Sequence, residues 1–202
     1  MSIYLDHAAS APVRPVALDA FVSVSTQAGN PSSTHRDGQA ARAQLDGARI
    51  RVAAALGCDP IEVVFTSGGT ESVNLGITGL FRARRESRAE RVRILATAAE
   101  HHATLDTLEW LEKHEGAVID WIPVDAQACV DIAALEAALA REPETIALVT
   151  SLWANNEVGT IQPAAQISAL AEAAGVPLHL DAVAVWGHEV IDVRQLPGLA
   201  AL

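Results

Sequence analysis

Positive charge is scarce in this sequence. Its 202 residues include 14 Lys or Arg against 25 Asp or Glu, a formal charge of −11, and Lys113 is the one lysine. A groove that follows a nucleic-acid backbone needs concentrated positive charge, so the balance argues against a nucleic-acid partner. The one basic cluster, Arg82 to Arg93, reads as a solvated helix end whose arginines complement the negative pole of the helix dipole. Long apolar runs are missing too. No stretch approaches the roughly 20 apolar residues that span a bilayer, and the N-terminal MSIYLDHAAS lacks the basic start and apolar run of a signal peptide. The cysteines, Cys58 and Cys129, are two in number and have neither metal-like nor redox-like spacing. Repeats and low-complexity linkers are lacking as well. The expectation is a soluble protein of a reducing cytoplasm, with one sizeable core.

What is present is an alternation of short β-type runs and longer helical patterns. EVVFT (62–66), RILATA (93–98), AVIDWIPV (117–124), ALVTSLW (147–153) and VPLHLD (176–181) each read as a buried strand. Between residues 38 and 57, Ala41, Leu45, Ala48, Val52 and Leu56 recur every three or four positions, and Gly57 supplies a stop. Around 163–175, Pro163 suits a first helical turn, Ile167 and Leu170 face inward, and Gly175 ends the helix. Asp131 is placed to cap a helix carrying Ile132, Leu135 and Leu139. Strand and helix in alternation predict an α/β layered fold with a largely parallel sheet. In such sheets ligands sit at the carboxyl ends of the strands.

Four loops occupy such positions. In EVVFTSGGTESVN, two glycines allow close backbone approach, and the helix that follows presents unpaired N–H groups, as a phosphate site requires. The pattern is neither a nucleotide P-loop nor a dinucleotide fingerprint, and a Gly-Gly turn can equally be only a turn. In TAAEHHATLDTLEW, a histidine at a helix start can stack on a planar ring, move protons, or cap the helix. His102 and Asp106 share a helix face, but two ligands without a third do not make a metal site. In SLWANNEVGTIQP, paired asparagines offer amides to a polar ring substituent or serve as turn residues. In HLDAV, Asp181 follows an apolar strand. It could hold a ring nitrogen protonated, turning a pyridine ring into an electron sink, or act as a cap.

Taken together and in order, these stretches resemble the class V, fold-type I pyridoxal phosphate enzymes, and among them the cysteine desulfurases. YLDHAASAPV is similar to that family's N-terminal arm. GNPSSTHRDGQAAR (29–42), FTSGGTESVNL, TAAEHHATLDTLEWLEK, NNEVGTIQP and HLDAV are similar to its signatures, in its order and at its spacing. The resemblance runs from residue 3 to about 195. It implies an arm over 1–14 and part of the pyridoxal-phosphate-binding large domain over 15–202. It also implies roles: Gly69 and Thr70 at the cofactor phosphate, His101 stacked on the ring and assisting proton transfer, Asn155 near the phenolic oxygen, Asp181 at the ring nitrogen. The implied reaction converts L-cysteine to L-alanine and an enzyme-bound persulfide for iron–sulfur cluster assembly. The implied assembly is a homodimer, since the family's site borrows a residue from the neighbouring subunit.

The sequence departs from that pattern in places that matter. Ala184 stands where the family carries Gln, hydrogen-bonded to the phenolic oxygen. The family's Ser-x-His-Lys, with its Schiff-base lysine, and its cysteine-bearing mobile loop have no counterpart in these 202 residues. Lys113, at the far end of the helix that begins near His101, is not a match for that lysine. Neither Cys58 nor Cys129 matches the catalytic cysteine; both read as structural. The expectation is a truncated desulfurase, inactive alone, with apolar surface left uncovered. Two other readings stay open. One is a non-catalytic protein that pairs with an intact, full-length homologue. The other is a further class V enzyme, an aminotransferase or selenocysteine lyase.

Overall fold

The computed structural model describes residues 3–202. The chain divides into two compact units, one ending at Val64 and the other running Phe65–Leu202.

The first unit is helical. Helix α1 (Pro15–Ser25) starts on a proline, whose fixed φ suits a first turn. It buries none of its residues: Val16, Leu18, Phe21, Val22 and Val24 all lie exposed, as do Ile3 and Leu5 ahead of it. Helix α2 (Arg36–Leu56) is capped by His35, whose Nδ1 accepts from Gly38 N at 3.3 Å, and stops at Gly57 in the left-handed conformation (φ 77°). The loop before it folds tightly onto its first turn. A Cβ on Gly38 would lie 2.4 Å from the Ser33 carbonyl oxygen and 2.8 Å from that of Asn30, so GNPSSTHRDG has a packing reason for its glycine. The strand expected at 62–66 does not form. A short 3-10 turn (Pro60–Glu62) leads into extended backbone, and the Val63 carbonyl accepts from Arg49 Nε at 3.2 Å instead of from a neighbouring strand. Val64 and Phe65 remain largely exposed.

The second unit is a layered α/β fold. Helix α3 (Gly69–Ser87) precedes β1 (Arg93–Thr97), α4 (His102–Glu115), β2 (Val118–Ile122), α5 (Ile132–Ala140), β3 (Ile146–Leu152), α6 (Ala164–Ala173), β4 (Leu178–Asp181) and β5 (Leu199–Ala201). All neighbouring strands run parallel, in the order β2-β1-β3-β4-β5. Every residue of β1, β3 and β4 is buried, as expected where both faces of a parallel sheet are covered. Alternation along β1 feeds two clusters. Ile94 and Ala96 join Val73, Ile77 and Phe81 of α3 and Leu108 and Leu111 of α4. Leu95 joins Leu135 and Leu139 of α5, Ile167 of α6, and Leu178 and Leu180 of β4.

The punctuation read from sequence falls within a residue of the observed ends. Asp131 caps α5, its Oδ1 accepting from Ala134 N at 3.0 Å. Pro163 is the residue before α6 instead of inside it, and Gly175 follows the closing residue Ala174 with φ 64°. The basic cluster divides. Arg84 and Arg85 do occupy the last turn of α3, but Arg93 is buried at the start of β1. There its Nε donates to Asp120 Oδ2 at 2.8 Å, and Arg141 reaches the same oxygen at 2.8 Å. Among the described residues, no helix is long and apolar enough to cross a membrane.

Candidate functional site

The strand order sets the place to look. From β1 the chain turns through α4 to β2 on one side; from β3 it turns through α6 to β4 on the other. The connections leaving β1 and β3 therefore run to opposite sides, which makes their carboxyl ends the switch point, the crevice where such sheets place a ligand. The residues singled out from sequence come to this end of the sheet or to the start of α3.

Asp181 closes β4 and is buried, with 5% of its surface exposed. Its Oδ1 accepts from Val183 N at 3.0 Å, and its backbone carbonyl accepts from Trp153 N at 2.8 Å, which ties the end of β4 to the loop after β3. Gly69 opens α3 beside the segment that follows β4: a Cβ there would stand 2.7 Å from Val183 Cγ2. Gly68, just before it, has open space where a side chain would be. The helix start is thus bare backbone, and its first N–H groups have no intrahelical acceptor. Thr70 follows, exposed. Around this turn Glu71 Oε2 accepts from Ser67 N at 2.6 Å, and the Thr66 and Ser72 hydroxyls lie 2.6 Å apart. Those contacts with Ser67 hold the Glu71 carboxyl below its ordinary range.

His101 is exposed and caps α4, its Nδ1 accepting from Ala103 N at 3.1 Å. The capping role weighed from sequence is therefore real, and the His102 ring stands edge-to-face with the His101 ring, 6.3 Å between centroids. Asn155 serves as a turn residue. Its Oδ1 accepts from Glu157 N (2.8 Å) and Val158 N (3.1 Å), and its amide donates to the Ala99 carbonyl at 3.3 Å. It thus bridges the loops after β3 and β1. Ala184 is half-buried three residues after Asp181, and its side chain carries no hydrogen-bonding group. Lys113 lies in the last turn of α4, eleven residues from its start, or about 16 Å along the axis. Among the described residues, no group of three His, Cys, Asp or Glu side chains is placed to hold a metal ion.

Two buried groups went unnoticed in the sequence. His179, on β4, packs under α3, where a Cβ on Gly76 would lie 3.0 Å from its Cδ2. Its Nδ1 pairs with the Thr150 hydroxyl at 2.9 Å, and burial lowers its pKa to about 4. Glu100 turns back from the loop after β1. Its Oε1 accepts from Leu152 N at 2.9 Å and from the Thr97 hydroxyl. Burial, followed by the nearby Asp181 charge, raises its pKa to about 7. An acidic residue directly after an all-apolar strand was the available clue.

With this geometry in view, comparison with known proteins becomes specific. Residues 3–198 match the family described as Aminotransferase class-V. The chain belongs to that family. It is 47% identical over 199 residues to the IscS-like cysteine desulfurase of Mycobacterium tuberculosis, covering 98% of this chain and 50% of that one. It is 38% identical to cysteine desulfurase IscS of Methanosarcina thermophila, covering 96% of this chain and 47% of that one. Among solved structures, a NifS-like protein matches with a TM-score of 0.88 at 34% identity, over 97% of this chain and 53% of its own. SspA in complex with cysteine also matches with a TM-score of 0.88, at 32% identity, over 96% and 55%. The chain spans about half the length of the curated relatives it matches. Class V enzymes are generally dependent on pyridoxal phosphate.

Proposed function

We propose that this chain forms the cofactor-facing half of a cysteine desulfurase and that the crevice at the ends of β1, β3 and β4 receives pyridoxal 5'-phosphate. The observation that carries the reading is the pairing of a bare helix start with a buried carboxylate: Gly68-Gly69 at α3, and Asp181 against the loop that packs on Gly69. The residues fit the group. Unpaired N–H groups at Gly69 and Thr70 suit a phosphate, and a carboxylate at low exposure suits a ring nitrogen that carries a proton.

When bound, pyridoxal phosphate supplies an electron sink for chemistry at the α-carbon of an amino acid. Of the chain's own residues, Gly69 and Thr70 would hold the phosphate, Asp181 would keep the ring nitrogen protonated, and the exposed ring of His101 would stack on the cofactor and move a proton. Asn155 orients the loops on either side of the crevice. The lysine and the cysteine that complete a desulfurase have no match here: Lys113 sits at the wrong end of α4, and Cys129 lies in the turn before α5. The reading includes L-cysteine as substrate, sulfur delivery to iron–sulfur assembly as purpose, a reducing cytoplasm, and pairing with a second copy or a full-length homologue.

The test is complementation in trans. The chain is mixed with the C-terminal half of its Mycobacterium tuberculosis relative, and turnover of cysteine, selenocysteine and aspartate is followed. Alanine and persulfide formed from cysteine above either half alone support the reading. Turnover of aspartate or selenocysteine in preference to cysteine would move the chain to another class V activity.

A further inference from the structure

Glu100 is not among the residues that the family resemblance assigns, yet it is hydrogen-bonded to the ends of both β1 and β3. Its Oε1 accepts from Thr97 at the end of β1 and from Leu152 N at the end of β3. Its other oxygen, Oε2, is shut off from solvent, as is Thr104 Oγ1 on α4, whose hydroxyl is near enough to act on the carboxyl. The charged group acting on it is Asp181 at the end of β4, of the same sign. The histidines nearby do not neutralise it: His101 and His102 are exposed, His101 is engaged with Ala103 N, and His179 is paired with Thr150. A carboxylate enclosed without a cation, next to another carboxylate, sheds its charge by taking a proton.

We propose that Glu100 is a positioning residue that works as a neutral acid on the acid side of neutrality. It fastens the end of β1 to the end of β3 and leaves the negative charge at this end of the sheet to Asp181 alone. The clasp holds the two loops that diverge at the crevice at a fixed separation. Its neutrality spares Asp181 a competing charge, so a cation entering the crevice meets one carboxylate. Burial and the Asp181 charge, which raise the Glu100 pKa to about 7, act in the same sense. The proposal concerns the protein's own groups and stands apart from whether a cofactor binds.

Infrared difference spectroscopy of the 202-residue chain, without cofactor, tests it. The expected result is a carboxylic-acid carbonyl band that disappears with a midpoint near pH 7. The band should be absent in Glu100→Gln, and its midpoint should move to lower pH in Asp181→Asn. Hydrogen exchange reads the clasp. The Leu152 amide should exchange at the native rate in Glu100→Gln, which keeps the accepting oxygen, and at least about tenfold faster in Glu100→Ala, which loses it. A native chain with no such band on the acid side of neutrality, or a band that persists in Glu100→Gln, would overturn the neutral-acid assignment. The isosteric Gln variant decides this whether or not the Ala variant folds. Because no cofactor is used, failure here leaves the proposed function standing.

Discussion

Burial raises the Glu100 carboxyl from 4.5 to about 7 and lowers the His179 imidazole from 6.5 to about 4. The two groups bind protons in opposite senses on folding. The folded chain holds the Glu100 proton more tightly than the unfolded chain, so that contribution is complete below pH 4.5 and lost as pH rises through 7. The folded chain rejects a proton at His179, so that contribution is complete above pH 6.5 and lost as pH falls through 4. Between pH 4.5 and 6.5 the slopes oppose each other, each on the order of 3 kcal/mol across its window. Relative to the native chain, Glu100→Gln should therefore gain stability as pH rises from 4.5 to 6.5, and His179→Gln should lose it. Urea midpoints at both ends of that window measure the difference; parallel profiles for all three proteins would contradict the assignment. At position 184 the chain lacks a donor that the family supplies. One neutral hydrogen bond is worth about 0.5–1.5 kcal/mol, so Ala184→Gln should tighten pyridoxal phosphate binding roughly two- to tenfold. Equilibrium dialysis of the variant against the native chain checks it.

Helix α5 is short, and its start depends on Asp131, whose Oδ1 accepts from Ala134 N at 3.0 Å. Asp131→Ala should cost about 1 kcal/mol, and Asp131→Ser much less; chemical denaturation of both variants reads the difference. Elements like this one were legible in the sequence because cap, apolar spacing and stop residue all agreed. The strands β1 to β4 were legible for a related reason: near-continuous apolar runs bounded by turns. The expectation that AVIDWIPV is buried fails, because β2 lies at the sheet edge and leaves Val118 and Trp121 about half exposed. EVVFT misled because its residues favour strands, while strand formation depends on a neighbour; here the Val63 carbonyl is taken by Arg49 instead. Strand β5 was missed because three residues carry no period. Its pairing depends on Gly198, where a Cβ would lie 2.5 Å from the Ser168 carbonyl oxygen. The candidate site was legible as a set of loops, but not as a network. Asn155 spends its carbonyl oxygen on its own turn, and Glu100 meets β3 and β4 only after folding brings residues 52 or more positions away beside it.

At the scale of the whole molecule, two facts stand together. The chain matches its family from residue 3 to 198, and it spans about half the length of its curated relatives. Its second unit carries a closed two-faced core and a crevice at the strand ends. Its first unit leaves the apolar side of α1 exposed, with Phe21 at 70%. An exposed apolar surface of this kind marks a contact site or an association hazard. In the proposed function, the crevice receives pyridoxal phosphate through backbone at Gly69 and Thr70 and through Asp181, without a lysine. The most direct test is titration of the 202-residue chain with pyridoxal phosphate, followed by equilibrium dialysis. The account predicts saturable one-to-one binding that dialysis reverses, that inorganic phosphate competes away, that Asp181→Ala abolishes and that Lys113→Arg leaves unchanged. Uptake that does not saturate, or that disappears in Lys113→Arg and persists in Asp181→Ala, would contradict it.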